Sequence, residues 1–463
     1  MHRPSANRWM VNIMLPFSSS RTYQAFCSTM RRALLPSLLL TVTGIHLTRS
    51  HTSQPVGEST ARLAGDLTRV LSVSQENENI LCSPLGVLLA LGTIHLGAKG
   101  KARDEIRQLL NLQGNDGEAF APLQTLFSVP SEGKAFTFNL ANALYLQEGF
   151  MVKEQYLHSN KEFFQTAVKL VNFQDTKASA EAISTWVENK TDGKIRNLVA
   201  SGDLGPLTRL LLVNALFFKG DWKQTFKAED TSLMPFTKSD GSVTEIPMMH
   251  LQLTAKLGHF SDHNVSYQVL ELPYKGEEFS FVLILPAEDV PVEKVEKLIT
   301  AQLMRSWFAE MEEDEDVDIS LPRFKIEQMV DLKEIIQPLN VTEIFNNGCD
   351  LSGITDSADV HVSKAIQKVC FEVHEDGSEA ASSAGMHLTA IMSLSHKQVV
   401  ANRPFLFILR HNSTGPTRLT TLSIESTTPG NPVIEVIERS IVFMGKLANP
   451  DMQQQKRRDR DSL

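Results

Sequence analysis

Four cysteines in 463 residues are too few to hold a fold together with disulfides. Cys27, Cys82, Cys349 and Cys370 form no Cys-x-x-Cys pair and have no histidine at ligand spacing, which argues against a structural zinc site. Cys82, in Ile-Leu-Cys-Ser-Pro-Leu, reads as a small buried hydrophobe, and with Cys27 in a leader at least one thiol stays free. Cations are not in excess: the net charge of -9 argues against a general nucleic-acid binder. The signatures of catalysis are missing too. There is no Gly-x-Ser-x-Gly elbow and no His-Glu-x-x-His, and Gly92–Gly97, which has phosphate-loop spacing, is followed by Ala98 where a lysine is needed. A triad assembled from distant residues has no local support, so the chain is not expected to be an enzyme or to carry a cofactor.

What is present is an ordinary globular composition, 42% hydrophobic and 21% charged. Apolar residues recur at helical spacing over Gly57–Ser74, Leu85–Gly97, Lys101–Leu110 and Ala178–Lys190. Arg209–Phe218 is an almost unbroken apolar run, as expected for a strand covered on both faces. Phe136–Leu140, Phe279–Leu285, Val317–Leu321, Phe405–Leu409 and Ile441–Met444 read as further strands. Helices dominate the first third and strands the remainder, without regular alternation, which predicts an α+β fold. The acidic run Glu312–Asp316 lacks the glycine and spacing of a calcium loop and is expected to be a solvated loop before a strand.

The first 50 residues read as a leader. Met30-Arg31-Arg32 precedes a short apolar run, Ala33–Ile45, with small residues after it, which describes a secretory signal peptide and is too short to cross a bilayer. A signal peptide normally begins at the initiator, which makes Met30 a candidate true start; the Arg-rich, acid-free residues 1–32 also fit a mitochondrial presequence. Secretion, an extracellular location and no membrane attachment are the expectation. It gives meaning to four Asn-x-Ser/Thr sites, at Asn189, Asn264, Asn340 and Asn412.

One segment, Glu375–Pro404, is composed like a linker yet patterned like a strand. Between Asp376 and Pro404 there is no proline, and the side chains after Gly377 are nearly all small. Ser378, Ala380, Ser382, Ala384, Met386, Leu388 and Ala390 would share one face if the backbone were extended, with Glu379, Ala381, Ser383, Gly385, His387 and Thr389 on the other. A flexible Ser/Ala linker and a functional loop both fit this composition.

The order of several motifs resembles that of the serpin family from about Gly57 to Pro450. They include Asn79–Pro84, Leu96–Gly100, Trp186–Ile195, Leu212–Trp222, Leu321–Phe324, Asp350–Ile354, Glu375–Ala381, Arg403–Phe407 and Phe443–Gly445. Within the family, the wording of Ala141–Phe150 and Ser352–Ala380 falls nearest the branch that holds neuroserpin. The resemblance implies a single domain over residues 51–450, with three β-sheets, about nine helices, an exposed reactive-centre loop in 375–404 and a charged tail at 451–463. It implies a monomeric protease inhibitor whose partner is a target serine protease, held as a covalent acyl complex while the cleaved loop inserts into the central sheet.

Residue by residue, the hinge falls on Glu375, Asp376, Gly377, Ser378, Glu379, Ala380, Ala381, Ser382 and Ser383. Its small, uncharged alternate positions suit burial in a sheet. Counting from the hinge places the attacked bond at Ile391–Met392, with Met392–Ser393 the competing bond; the apolar Ile391 points to elastase-like or chymotrypsin-like targets. Ser83, Asn214, Trp222 and Gln367 match the shutter and breach that govern opening of the sheet. Gln367 stands where the family usually has histidine, His374 where it has asparagine, and Gly86 where serine is common. Gly415–Glu438 is an atypical insertion where the family has a tight turn; a small hairpin, a disordered insert and a mis-spliced gene model all fit it. Lys99, Lys101, Arg103 and Arg107 are interleaved with Asp104 and Glu105, so no heparin site is evident. A non-inhibitory carrier or chaperone is the alternative reading.

Overall fold

A strand that is apolar on both faces must be covered twice, and β4 (Leu210–Gly220) is buried at every position but Lys219. Its even-numbered apolar residues, Leu210, Leu212, Leu216 and Phe218, belong to the main core. Leu211, Val213, Ala215 and Phe217 belong to a second, smaller core on the other face. The computed structural model that shows this describes residues 55–127, 135–357, 359–375, 397–412 and 439–450. The leader, the insertion and the charged tail lie outside the described residues.

β4 sits at the centre of a five-stranded sheet with β2 (Phe136–Gln147), β3 (Ala167–Val171), β10 (Phe324–Asp331) and β11 (Val362–Val373), in the order β10-β11-β4-β2-β3. The predicted strand at Phe136–Leu140 continues without a break through Gln147, because Ala141–Leu146 is equally apolar and pairs with β4 throughout. The second hydrogen-bonded network has nine strands. It runs from β1 (Ile80–Cys82) through β14 (Ser440–Leu447), β13 (Phe405–His411), β8 (Phe279–Pro286) and β7 (Val265–Pro273) to β6 (Val243–Asp262), β9 (Glu312–Pro322) and β12 (Lys397–Val400). β5 (Ser232–Thr237) pairs the first part of β6, whereas β7 pairs the last part. The expected second and third sheets are thus joined along the 20-residue β6.

One expectation fails here. The acidic run Glu312–Asp316 is not a loop but the first half of β9, with Glu312, Glu313 and Asp314 opposite Leu257, Lys256 and Ala255 of β6. A charged side chain that reaches solvent does not stop its backbone from completing a ladder when a long partner strand is available.

The two networks meet at Phe371 of β11, whose ring lies 5.3 Å from Phe407, 5.9 Å from Phe443 and 6.1 Å from Phe281. Helix Pro84–His95 is buried along its whole length, capped by the Ser83 hydroxyl, which accepts from the Gly86 N–H. Helix Thr176–Lys190 buries Ser179, Ala180, Ile183 and Val187, and Ile183 and Val187 join the second core over the opposite face of the five-stranded sheet.

Candidate functional site

The feature that positions everything else is the seam between β11 and β4. These strands run parallel, paired from Val362↔Leu210 to Glu372↔Lys219. Because they are parallel, a strand placed between them can be antiparallel to both, and such ladders are slightly more stable per residue. β11 ends at Val373, and the next described strand, β12, begins at Lys397 and pairs parallel with β9. Between Glu375 and Lys397 lie 396 − 375 = 21 residues, against 11 in β4. That length is ample for a strand filling the seam with a connection left over. Asp376–Ser383 of the hinge and the candidate bond residues Ile391, Met392 and Ser393 fall outside the described residues.

Midway along the seam the structure brings Ser83, Asn214 and Gln367 together, all fully buried. Asn142, Asn214 and Gln367 stand opposite one another on β2, β4 and β11, forming one polar row across the sheet. The Gln367 Nε2 amide donates to Asn214 Oδ1 at 3.0 Å and to the Ser83 carbonyl at 3.1 Å, and its Oε1 accepts from the Ser83 N–H at 2.9 Å. The Ser83 hydroxyl in turn donates to the Val442 carbonyl of β14 at 2.6 Å. Asn142 donates to Thr166 at 2.7 Å, and Thr166 meets Thr93 of the buried helix at 2.9 Å. Buried polar groups of this kind are costly unless partnered, so the row is stable in this arrangement only while its bonds stay intact.

At the end of the seam from which the chain leaves, Trp222 stacks on Tyr274 at 4.5 Å and donates its indole N–H to the His374 carbonyl at 2.8 Å. The Glu375 carboxylate, nearly buried, accepts from the Thr231 hydroxyl at 2.9 Å and lies 3.3 Å from Arg323. Glu375 is the one hinge residue the structure describes.

Two residues that the sequence reading did not single out also cross the seam. Lys368 of β11, almost wholly buried, donates to the Arg196 carbonyl at 2.7 Å and pairs with Glu327 of β10 at 2.9 Å. Lys364 pairs with Asp203 at 2.7 Å. Burial alone would raise the Asp203 pKa, but the bonds from Lys364 and the Ala200 N–H outweigh it and hold the carboxyl below its ordinary value. Both lysines reach the segment after helix Thr176–Lys190, which is itself fastened over β4 by Lys194 above the Phe217 ring at 5.5 Å. Their signal was two lysines four apart on a strand that is mostly buried.

Among the described residues, the thiols are not set up for nucleophilic chemistry. Burial pushes the Cys370 thiol up to about 12, Cys82 to about 12 and Cys349 to about 11, and all three are free. Of the candidate glycosylation sites, Asn189, Asn264 and Asn340 are exposed. Asn412 differs. Its Nδ2 donates to the Glu277 carbonyl and to the Ser280 hydroxyl, both at 2.8 Å, and its Oδ1 accepts from Arg439 at 3.1 Å. Together with the His411↔Ser440 pair, this contact closes the neck of the β13–β14 hairpin from which the insertion springs.

A profile described as Serpin (serine protease inhibitor) matches residues 58–419. Human Serpin I2 is 56% identical over 416 residues, covering 89% of this chain and 96% of its own length. Chicken (Gallus gallus) neuroserpin is 38% identical over 364 residues, covering 77% and 88%. Among solved structures, native protease nexin-1 with heparin superposes with a TM-score of 0.74 at 29% identity, covering 86% of this chain and 100% of that one. Profile, relatives and fold agree: the chain belongs to the serpin family of serine protease inhibitors and is not an enzyme.

Proposed function

We propose that this protein is a secreted suicide-substrate inhibitor that is cleaved by an elastase-like or chymotrypsin-like serine protease and traps it by loop insertion. The observation that carries the reading is the parallel seam between β11 and β4, paired without a break from Lys364↔Leu211 to Glu372↔Lys219, with the chain leaving it beyond Val373. An incoming strand replaces one parallel ladder with two antiparallel ones. At about 1 kcal/mol net per hydrogen bond, roughly ten new bonds supply on the order of 10 kcal/mol to draw an attached acyl-enzyme away from productive geometry. Residues 378–390 on alternate positions carry no charge, which lets that face enter the core side of the sheet. The P1 candidate Ile391 is apolar and branched, which disfavours trypsin-like enzymes; cleavage at Met392–Ser393 would broaden the target range within the same classes.

Secretion is supported by the leader composition and by exposed sequons at Asn189, Asn264 and Asn340. Among the described residues no helix is long and apolar enough to cross a membrane. Protease nexin-1 was solved with heparin, but among the described residues helix Gly100–Leu109 offers no evident heparin site. Lys101 pairs with Glu343 at 2.9 Å, Arg103 with Asp116 at 2.8 Å, and Arg107 donates to the Gly114 carbonyl at 2.6 Å, so cations of this helix are already engaged. The closed hairpin neck at Asn412 and Arg439 supports a fold that tolerates the insertion at 415–438. Incubation of the full chain with elastase, chymotrypsin and trypsin tests the reading. An SDS-stable complex with one of the first two supports it; clean cleavage, without a complex or a rise in thermal stability, points instead to a non-inhibitory carrier or chaperone.

A further inference from the structure

We propose that Tyr145, Lys169 and Lys190 form a binding site for a phosphate or sulfate group, between β3 and the helix Thr176–Lys190 that covers this face of the five-stranded sheet.

Register places the first two side by side. Tyr145 of β2 is the partner of Lys169 on β3, so the two side chains leave the sheet on the same face. Trp186 joins them from the helix, half-buried against the second core. Its ring meets the Tyr145 ring edge-on at 6.2 Å, and the Lys169 Nζ lies 5.0 Å from its centre. Lys190 follows Trp186 by four residues and so lies on the same side of the helix, one turn further on.

Three donors gather here without an acceptor. Tyr145 is 1% exposed, and its hydroxyl has no hydrogen-bond partner among the described residues. Burial raises the phenol pKa above its ordinary value, so the hydroxyl keeps its proton and can donate at neutral pH. Among the described residues neither Lys169 nor Lys190 pairs with a carboxylate, and the adjacent Glu188 is taken by Arg196 at 3.0 Å. Burial and the charge of Lys190 together hold the Lys169 pKa below its ordinary value.

A buried hydroxyl without a partner is unfavourable, and so are two ammonium groups that depress each other's charged form. An oxyanion relieves both at once by accepting from the phenol and from each ammonium. A tetrahedral group suits the geometry better than a carboxylate, because the donors arrive from three elements and it turns three oxygens toward them.

The test titrates the full chain with inorganic phosphate and, separately, with glucose 6-sulfate, against sodium chloride at matched ionic strength. Calorimetric binding and the thermal midpoint are the readouts. Wild type should show a saturable response, half-complete on the order of 1 mM, as a few charge-assisted hydrogen bonds allow. Lys169→Gln and Lys190→Gln should each weaken binding by about tenfold or more. Lys177→Gln, at an exposed position near the other end of the helix, should leave it unchanged. Tyr145→Phe has an effect whose sign depends on the anion. Without phosphate it should be at least as stable as wild type, having lost an unpartnered hydroxyl; at saturating phosphate it should be the less stable of the two. Phosphate and sulfate also stabilise proteins generally, by exclusion from their surfaces. A rise that does not saturate and is shared by all variants therefore overturns the proposal. So does a Tyr145→Phe variant already less stable than wild type without phosphate. A response to both probes shows a site open to an oxyanion carried on a larger molecule, and a response to phosphate alone shows a site for the free ion; either supports the proposal, and a response to neither overturns it. If Lys169→Gln does not fold, Lys190→Gln, at an exposed position, decides the matter by the same criterion.

Discussion

Lys368→Met removes one ammonium group and little else, because methionine keeps most of the apolar stem. In the closed sheet the Lys368 Nζ has two partners on opposite sides of the seam: Glu327 on β10, and the Arg196 carbonyl in the segment that covers β4. β10 and β11 are neighbours on one side and would move together, so opening keeps the Glu327 pair and breaks only the Arg196 bond. A buried hydrogen bond from a charged donor is worth about 1.5–3 kcal/mol. The low end suits a carbonyl that can be rehydrated once released, and about 1.5 kcal/mol corresponds to about a tenfold change in rate. Lys368→Met should accordingly take up a peptide with the sequence of residues 377–390 about tenfold faster than wild type, followed by native gel electrophoresis. Uptake at the wild-type rate together with a lowered urea midpoint would show that Lys368 holds the fold without restraining the seam, and would refute the reasoning.

Trp222→Phe keeps an aromatic ring on Tyr274 but loses the donor to His374, and should lower stability by about 1 kcal/mol and speed uptake severalfold; an unchanged urea midpoint would count against the bond. His411 is buried beside the hairpin neck, and burial depresses its pKa from 6.5 to about 4. Its unfolded form takes up a proton first, so stability is full above about pH 6.5 and falls until about pH 4, by as much as about 3 kcal/mol. Urea midpoints between pH 7.5 and 4.5 should therefore decline, and His411→Phe should flatten that decline. Mass spectrometry of protein expressed in a eukaryotic secretory system should find glycan on Asn189, Asn264 or Asn340 and none on Asn412, whose amide nitrogen makes two hydrogen bonds; a glycosylated Asn412 in folded protein would contradict that placement.

Local pattern carried much of the architecture. The helix expected over Ala178–Lys190 begins at Thr176, and the one over Leu85–Gly97 ends at His95, because periodic burial marks the middle of a helix better than its caps. Asn214, a lone polar residue in a nine-residue apolar run, was a legible oddity. Its partner Gln367 lies 367 − 214 = 153 residues away and Ser83, which Gln367 bonds in turn, 214 − 83 = 131, and only the family resemblance joined them. A Cβ on Gly86 would lie 2.2 Å from Asn214 Oδ1 and 2.6 Å from Gln367 Nε2, a crowding out of reach of sequence because it depends on where the two amides converge in space. Lys364 and Lys368 were passed over for a similar reason: their role lies in the carbonyl and carboxylate they reach in another element. The acidic half of β9 shows the limit of reading solvation as loop, for exposure of a side chain and pairing of its backbone are separate matters.

The most direct test is to mix the full chain with neutrophil-type elastase and chymotrypsin, run the products on denaturing gels and sequence the released C-terminal fragment. The account predicts an SDS-stable complex and a fragment beginning at Met392 or, for the neighbouring bond, at Ser393. Active protease beside a cleaved chain, with no complex and no gain in thermal stability, would contradict it.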